Sequence, residues 1–470
     1  MDIQQRIEAV ALKRFGISSL KPFQRLVIQD ILEALDGVEQ KRILVVLPTG
    51  LGKSLCFMLP SLLCKNLSIL VYPLLSLMSD QLGKLEALGI EAACLKGGQT
   101  RQERQHALGK LSNGTRIVVT NPETLGQKAV LEALKAYEVS LLVVDEAHTA
   151  SLWGRAFRPS CLRLGAIAEA LKPKATLAFT ATASDAVVKD IGSIVFCNKS
   201  FALIRGDADR PNIYYGSVQS LSKLHSLRLM VTSAPRPLIV FCRNRALTES
   251  LARWLKACTF LDCRAYHAGL SKKARGEIEA WFLKSSDGVL CSTNAYGMGV
   301  DKRGLRTVVH YRMPDCLEDF LQESGRAGRD GLSAWSWVLR DPGEKREIFD
   351  CCIRASVLKA FGSLQVKCSG CDTCMGVQDR IEGLEEIRAV LVHHPLRYDR
   401  KSLIEVLMGK CKDGLESYYG VLCAWKECEV EEAIDSCLRL GLAKAIGKAG
   451  RIYWAFKNSS YVLRSTWRKV

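Results

Sequence analysis

The stretch Ile43-Leu44-Val45-Val46-Leu47-Pro48-Thr49-Gly50-Leu51-Gly52-Lys53-Ser54 runs from an apolar strand into a glycine turn that ends in a lysine and a hydroxyl residue. Gly50 and Gly52 let backbone N–H groups approach phosphate oxygens. A helix starting just behind them adds the favourable end of its dipole. In that setting Lys53 reaches the β/γ-phosphates and the Ser54 hydroxyl ligates Mg2+. The full phosphate-loop pattern has a glycine where this chain has Leu47. Further along, the apolar run Leu141–Val144 ends in Asp145-Glu146-Ala147-His148. A carboxylate at the carboxyl end of a parallel strand lies beside the first loop. Asp145 is therefore expected to hold Mg2+ through water, and Glu146 to orient or deprotonate the attacking water. Lysine loop and acidic pair together imply nucleotide hydrolysis.

Working outward, short apolar runs recur, each followed by a helix-like stretch: Ile43–Pro48, Ile69–Pro73, Ile117–Thr120, Leu141–Asp145 and Leu177–Thr180. Apolar residues that are continuous rather than alternating predict a parallel sheet covered on both faces, and alternation with helices makes the class α/β. The rhythm repeats in Leu238–Cys242, Arg264–His267, Val289–Ser292, Thr307–Tyr311 and Trp335–Leu339, so two α/β units are expected. Arg205-Gly206-Asp207-Ala208-Asp209-Arg210-Pro211-Asn212 breaks both patterns and marks the join. After Asp341 the rhythm stops. A cysteine cluster runs to Cys374, followed by a mostly helical, basic tail that ends in a predicted hairpin, Ala443–Lys448, a turn at Ala449-Gly450 and Arg451–Phe456.

The totals agree. At 470 residues, 48% hydrophobic and 24% charged, the chain has the makings of several globular domains. Lys and Arg outnumber Asp and Glu 66 to 49, and the net charge of +17 suits a polyanionic partner. Met1–Val10 has no apolar signal core, and no run approaches a membrane span. Most of the nineteen cysteines, Cys56, Cys242 and Cys291 among them, are expected singly inside apolar strands as reduced core residues, which predicts an intracellular home.

Asp-Glu-Ala-His following Gly-Leu-Gly-Lys-Ser resembles superfamily 2 helicases. Leu20-Lys21-Pro22-Phe23-Gln24 resembles their adenine-reading segment, with Lys21 and Gln24 at the nucleotide. Phe179-Thr180-Ala181-Thr182-Ala183 resembles the motif that couples hydrolysis to the nucleic-acid groove. Gln322-Glu323-Ser324-Gly325-Arg326-Ala327-Gly328-Arg329-Asp330-Gly331 is similar to the last helicase motif, whose arginines face the other domain's nucleotide. The resemblance makes Arg329 the arginine finger, and places Lys53, Asp145, Glu146, His148, Gln322, Arg326 and Arg329 in the catalytic set. Nucleotide contacts are expected from Lys21, Gln24, Thr49, Gly50, Gly52, Lys53, Ser54 and Asp145.

Trp153-Gly154-Arg155-Ala156-Phe157-Arg158-Pro159 narrows the resemblance to the RecQ family of DNA helicases, in whose aromatic-rich loop Trp153 and Phe157 would stack on unpaired bases and Arg158 would sense strand and nucleotide together. Tyr266-His267-Ala268-Gly269-Leu270 and Ala295-Tyr296-Gly297-Met298-Gly299-Val300-Asp301-Lys302 also resemble RecQ segments, with Lys302 expected on phosphate. The family implies 3′-to-5′ movement on single-stranded DNA, unwinding of duplex DNA, a role in recombination or repair, and ATP with Mg2+.

Cys368, Cys371 and Cys374 have the spacing of a tetrahedral thiolate Zn2+ site that needs a fourth ligand. Distance to Cys368 in RecQ proteins favours Cys351; helical register from Phe361-Gly362 favours Cys352, which is the expectation here. The stretch from Leu339 to Cys351 is shorter than in most RecQ proteins. The tail resembles the family's winged-helix domain, with Lys448 and Arg451 on a duplex-contacting wing, and leaves no room for a C-terminal helical accessory domain. The expected divisions are two RecA-like domains at 1–205 and 206–342, a zinc segment at 343–378 and a winged helix at 379–470. Rival readings are an RNA helicase, or a DNA translocase or strand-annealing protein that does not unwind processively. A bacterial cytoplasm, close to the nucleoid, is the expected location.

Overall fold

The computed structural model describes residues 3–48, 52–154, 158–181, 183–206, 209–296, 302, 304–342, 344, 352–361, 368–377, 381–410, 418–446 and 450–455. Seven strands form a first parallel sheet: β1 (Lys41–Val46), β2 (Leu67–Val71), β3 (Ala93–Leu95), β4 (Ile117–Thr120), β5 (Val139–Val144), β6 (Ala175–Thr180) and β7 (Ala202–Arg205), in the order β3-β4-β2-β5-β6-β1-β7. β1 lies in register between β6 and β7, with Ile43 opposite both Leu177 and Ala202. Because side chains alternate across a strand, Ile43, Val45 and Leu47 enter one core with the helices Pro22–Asp36 and Lys53–Leu63. Leu44 and Val46 enter the other, under the helices Leu164–Leu171 and Asp185–Ile194. A strand with a core on each face must be apolar throughout, which is why its sequence shows no alternation.

Six further strands, β8 (Ile213–Gln219), β9 (Leu238–Phe241), β10 (Cys263–Tyr266), β11 (Val289–Ser292), β12 (Thr307–His310) and β13 (Ala334–Arg340), form a second parallel sheet ordered β10-β11-β9-β12-β13-β8. The result is two RecA-like α/β lobes. Three of these strands escaped the sequence reading: β3, which is three residues long, and the edge strands β7 and β8. Cys56 corrects another expectation, because it is buried in the helix Lys53–Leu63 rather than in a strand; the helix begins at Lys53 and leaves no room for one.

The cysteine segment packs on one face of the second sheet, where Ile353, Val357 and Phe361 join Tyr215, Phe320 and Val338 in a core. The tail comprises the helices Leu384–His393, Arg400–Met408 and Glu427–Arg439, and then the antiparallel pair β14 (Ala443–Ile446) and β15 (Arg451–Trp454). The loop between its first two helices adds to β15, since Leu396 N–H donates to Ile452 O (3.2 Å) and Ile452 N–H to Tyr398 O (2.8 Å). Lys448, Ala449 and Phe456 of the expected hairpin lie outside the described residues.

The tail is anchored on the helix Lys223–Ser233 of the second lobe. Glu429 accepts from Arg228 Nε (2.5 Å) and lies 2.9 Å from His225 Nδ1, and the His225 ring stacks on Trp425 at 3.8 Å. Ser222 Oγ and the Leu224 N–H donate to Glu432, and Leu221 enters the tail's own core. Burial alone would raise the Glu429 carboxyl, but the bonds from Arg228, His225 and the Lys426 N–H outweigh it and hold the carboxyl at about 2. Depressed below its unfolded value of about 4.3, this group stabilises docking above that pH, and the contribution is lost as pH falls towards 2. At neutral pH, Glu429→Gln is expected to weaken the anchorage by about 3 kcal/mol, because it leaves a half-buried arginine uncompensated. Amide exchange should then rise in both the helix Glu427–Arg439 and the helix Lys223–Ser233. Unchanged protection in both would refute the anchor.

Candidate active site and nucleic-acid interface

The residues that carry charge gather where β1, β5 and β6 end. Lys53 opens its helix behind Gly52, whose φ of 84° lies in the left-handed region. A Cβ on Gly52 would come within 2.6 Å of Gln24 Nε2, so glycine lets the phosphate loop close onto Gln24. Gln24 in turn accepts the Lys21 N–H through Oε1 at 3.0 Å, at the start of the helix that begins with Pro22. Ser54 follows Lys53 in the helix; Thr49 and Gly50 lie outside the described residues.

Asp145 and Ala147 are pinned on opposite sides: the Asp145 N–H donates to Val71 O of β2 and the Ala147 N–H to Phe179 O of β6. Glu146, between them, takes up a left-handed φ of 48°. Such a conformation costs on the order of 1–3 kcal/mol and persists only where its surroundings enforce it. It puts Glu146 Oε1 at 3.2 Å from Lys53 Nζ. His148 Nδ1 stands 2.9 Å from Thr180 Oγ1 and 3.4 Å from Glu146 Oε2, joining the acidic motif to the motif on β6.

Burial, and then the charge of Glu146, push the Asp145 carboxyl up. Burial would also raise Glu146, but Lys53 first, then His148 and Arg326, hold it below the usual carboxylate range. Burial lowers the His148 imidazole. Two adjacent carboxyls thus have opposite leanings. Glu146 stays ionised and able to accept a proton, whereas Asp145 is a buried acid whose charged form calls for a cation.

Arg326 comes from the other lobe. The helix Leu317–Ser324, which carries Gln322, leads into Gly325-Arg326-Ala327-Gly328-Arg329. Burial, and then Arg329, bring the Arg326 guanidinium down to about 10, so it remains a cation at neutral pH and its charge acts on Glu146 across the lobes. The turn that bears Arg329 is held by residues that the sequence reading took only as a break. Arg210 Nη2 donates to Ala327 O (3.1 Å) and Gly328 O (2.9 Å), and Asn212 Nδ2 donates to Gly328 O and Leu332 O, both at 2.9 Å. Gly328 has φ 57°, and a Cβ there would meet Asn212 Nδ2 at 2.4 Å. The one available signal was arginine and asparagine flanking Pro211 directly before a strand.

A cleft of about 1070 Å³ runs along the carboxyl ends of the second sheet's strands to Leu74 and Ser76 of the first lobe. Arg243, Arg245 and Arg312 line it, all exposed, and none was singled out in the sequence. Of the expected nucleic-acid residues, Arg158 pairs with Glu123 at 3.7 Å, beside Ser160 and Asn121, which also bond Glu123. The Lys302 ammonium donates to Leu283 O (3.1 Å) and Ser285 O, which closes the carboxyl end of the helix Lys272–Lys284. Arg451 donates to Leu396 O (3.3 Å) within the tail. Trp153 lies on the helix His148–Gly154; its side chain, Phe157 and Lys448 are outside the described residues.

Cys352, Cys368, Cys371 and Cys374 bring their Sγ atoms within 4.8 Å of one another, and Cys352 and Cys371 stand 3.6 Å apart. Zn–S bonds of about 2.3 Å in a tetrahedron need sulfurs about 3.8 Å apart, so the four thiols fit a structural zinc ion. Cys351 lies outside the described residues. The site sits on β8: Cys371 bridges Tyr215, and Asp372 accepts from the Ser217 N–H (2.8 Å) and hydroxyl (3.0 Å).

Residues 21–191 match the family model of the DEAD/DEAH box helicases, and residues 219–331 that of the helicase conserved C-terminal domain. A solved structure of Mss116p bound to single-stranded RNA and AMP-PNP superposes with a TM-score of 0.61 at 20% identity, covering 94% of this chain and 89% of that one, a likeness of fold. Among curated proteins, the probable ATP-dependent DNA helicase RecS of Bacillus subtilis (strain 168) is 36% identical, over 72% of this chain and 68% of that protein. The ATP-dependent DNA helicase RecQ of Pasteurella multocida (strain Pm70) is 31% identical over 92% of this chain and 74% of its own length. Similarity that runs through both lobes, the cysteine segment and most of the tail takes in far more than the nucleotide motifs, and on that ground the chain belongs to the RecQ family of ATP-dependent DNA helicases.

Proposed function

We propose that this chain moves 3′ to 5′ along single-stranded DNA and separates duplex DNA ahead of it, in recombination or repair. The observation that carries the reading is Glu146 at 3.2 Å from Lys53 of the phosphate loop and 3.4 Å from His148, which joins it to Thr180 of β6. Lys53, Ser54 and the loop residues Thr49, Gly50 and Gly52 cradle the phosphates of ATP, and Lys21 and Gln24 hold the adenine. Asp145 holds Mg2+, which neutralises phosphate charge when bound. Glu146 aligns water for attack, with His148 linking it to Thr180 and β6. Gln322, Arg326 and Arg329 complete the site from the second lobe, Arg329 as the finger. Because charges come from both lobes, nucleotide favours the closed cleft and hydrolysis releases it.

The cleft lined by Arg243, Arg245 and Arg312 suits a phosphate backbone, and we assign the single strand to it, with Trp153, Phe157, Arg158 and Lys302 serving its borders. Cys352, Cys368, Cys371 and Cys374 hold zinc. Three helices, a hairpin and a third strand segment added to β15 support a winged-helix tail whose Lys448 and Arg451 meet duplex DNA.

Strand displacement on duplexes with a 3′ tail, a 5′ tail or no tail, made of DNA and of RNA, should show unwinding of the 3′-tailed DNA alone. Lys53→Ala should cut DNA-stimulated ATP hydrolysis by at least about 100-fold, and Arg329→Ala by about 1000-fold. Full hydrolysis in Lys53→Ala would end the reading, and hydrolysis without displacement would leave a translocase. The purified chain should carry about one zinc, and Cys368→Ser should lose it along with exchange protection around Cys352 and Cys374. A zinc-free chain with the same protection would exclude a structural metal.

A further inference from the structure

The helix Ile353–Ala360 touches both ends of the join between the lobes. Its amino end is fixed to the cysteine cluster, because Cys352 is the N-cap and its Sγ accepts the Ala355 N–H at 3.3 Å. Arg354, 1% exposed, reaches from there to Asp209, to Arg210 O (3.1 Å) and to Ile213 O, with its guanidinium 5.0 Å from the Tyr215 ring. At the other end, Phe361 O accepts from Arg205 Nη1 at 2.6 Å. Arg205 is the last residue of β7, in register with Val46 of β1 and also paired with Asp185 at 3.1 Å, so it belongs to the first lobe.

The Phe361 ring is buried at the same place. It faces a small cavity that Val46, Pro48 and Ala181 close from the first lobe and Leu321 and Gly325 from the second. Pro48 lies directly before the phosphate loop, and Gly325 directly before Arg326. One short, stiff helix is thus moored to the second lobe at its cysteine end and to the first lobe at its carboxyl end, with its last aromatic ring between the two halves of the hydrolytic site.

We infer that this helix is a strut across the hinge, and that Arg205 and Arg354 are positioning residues which set how the lobes close, so that metal held by the four thiols controls hydrolysis through the strut. An intact cluster fixes Cys352, Cys352 fixes the helix axis, and the axis decides where Arg205 and Phe361 hold the first lobe. Without the metal, the amino end keeps only the Arg354 bonds and its apolar contacts, and the lobes meet in a wider range of angles. The inference rests on the lobe-closure reading above.

The test uses the full chain with fluorophores carried by unnatural residues at the fully exposed positions Val38 and Phe260, one on each lobe. In wild type, a non-hydrolysable ATP analogue with single-stranded DNA should narrow the interlobe distance distribution. Arg205→Gln should keep its zinc and an ATP KM within about twofold, lose at least about tenfold in kcat, and broaden the closed-state distribution. Arg354→Lys, which keeps charge without the planar fork, should do the same. Chelation of the wild-type metal should reproduce the broadening. A zinc-loaded Arg205→Gln with wild-type kcat and distances would overturn the strut, and unaltered distances in the metal-free wild type would overturn its link to the cluster. A wild type whose distances ignore nucleotide would instead overturn lobe closure itself.

Discussion

The Lys53–Glu146 ion pair, only 10% and 17% exposed, is the constraint on which the rest of the site depends. Two charges withdrawn from water recover their desolvation cost only when the geometry is good and further partners are present. The chain supplies both. Lys53 is placed by a helix that can begin only after a left-handed glycine, and Glu146 by a backbone turn enforced from β2 and β6. Such a pair contributes little net stability. What it does is leave a buried anion whose neighbours decide its state, and one of them, Arg326, belongs to the other lobe. The state of that anion therefore depends on charge supplied from both lobes.

Much of this fold was legible because a parallel strand covered on both faces has to be apolar at every position. β1, β2, β4, β5 and β6, and then β9, β11 and β12, stood out for that reason, whereas the edge strand β10, with Arg264, and β13, with Ser336, stood out by their place in the repeating rhythm. The missed strands are those where the rule relaxes. β3 has three residues, β7 lies at a sheet edge with Ala202 and Leu203 exposed, and β8 reads Ile-Tyr-Tyr-Gly-Ser-Val-Gln. On β8, Ser217 is polar because Asp372 of the cysteine segment binds it, and Gly216 leaves space that a Cβ would take from the Trp337 ring at 2.3 Å. Both are demands from partners distant in sequence, and no local pattern announces them.

The site divides along the same line. Lys53, Asp145, Glu146 and Arg326 were legible because hydrolysis demands those side chains in recognisable local settings. Arg210 and Asn212 were not, since they act on backbone carbonyls 115 to 120 residues away and carry no chemistry of their own. Lys302 and Arg158 show the converse. Lys302 was expected on phosphate and Arg158 to sense strand and nucleotide together; in the structure Lys302 bonds the carbonyls at a helix end and Arg158 pairs with the carboxylate of Glu123. A cation's sequence context does not reveal which nearby oxygen it meets first. The arginines that line the cleft arrive from the ends of different strands, so they converge only in the folded chain.

The two interfaces of the second lobe differ in chemistry, and the difference suits their roles. Towards the tail, it contributes Leu221 to an apolar core and His225 and Arg228 to a carboxylate with no exposed surface. Opening that contact would expose apolar area at about 25 cal/mol per Å² and strand a buried charge, so lobe and tail should move as one body. Towards the first lobe, Arg205 donates to the Phe361 carbonyl and Arg326 lends its charge to Glu146, beside a small apolar meeting of Leu321 and Phe361 with Val46, Pro48 and Ala181; the polar groups are ones that water can satisfy when they part. Exchanging protein partners for water changes the free energy by only about 1 kcal/mol per bond, small enough for nucleotide binding to reverse. The placing of apolar and charged residues around the second lobe thus gives it one boundary that holds and one that yields.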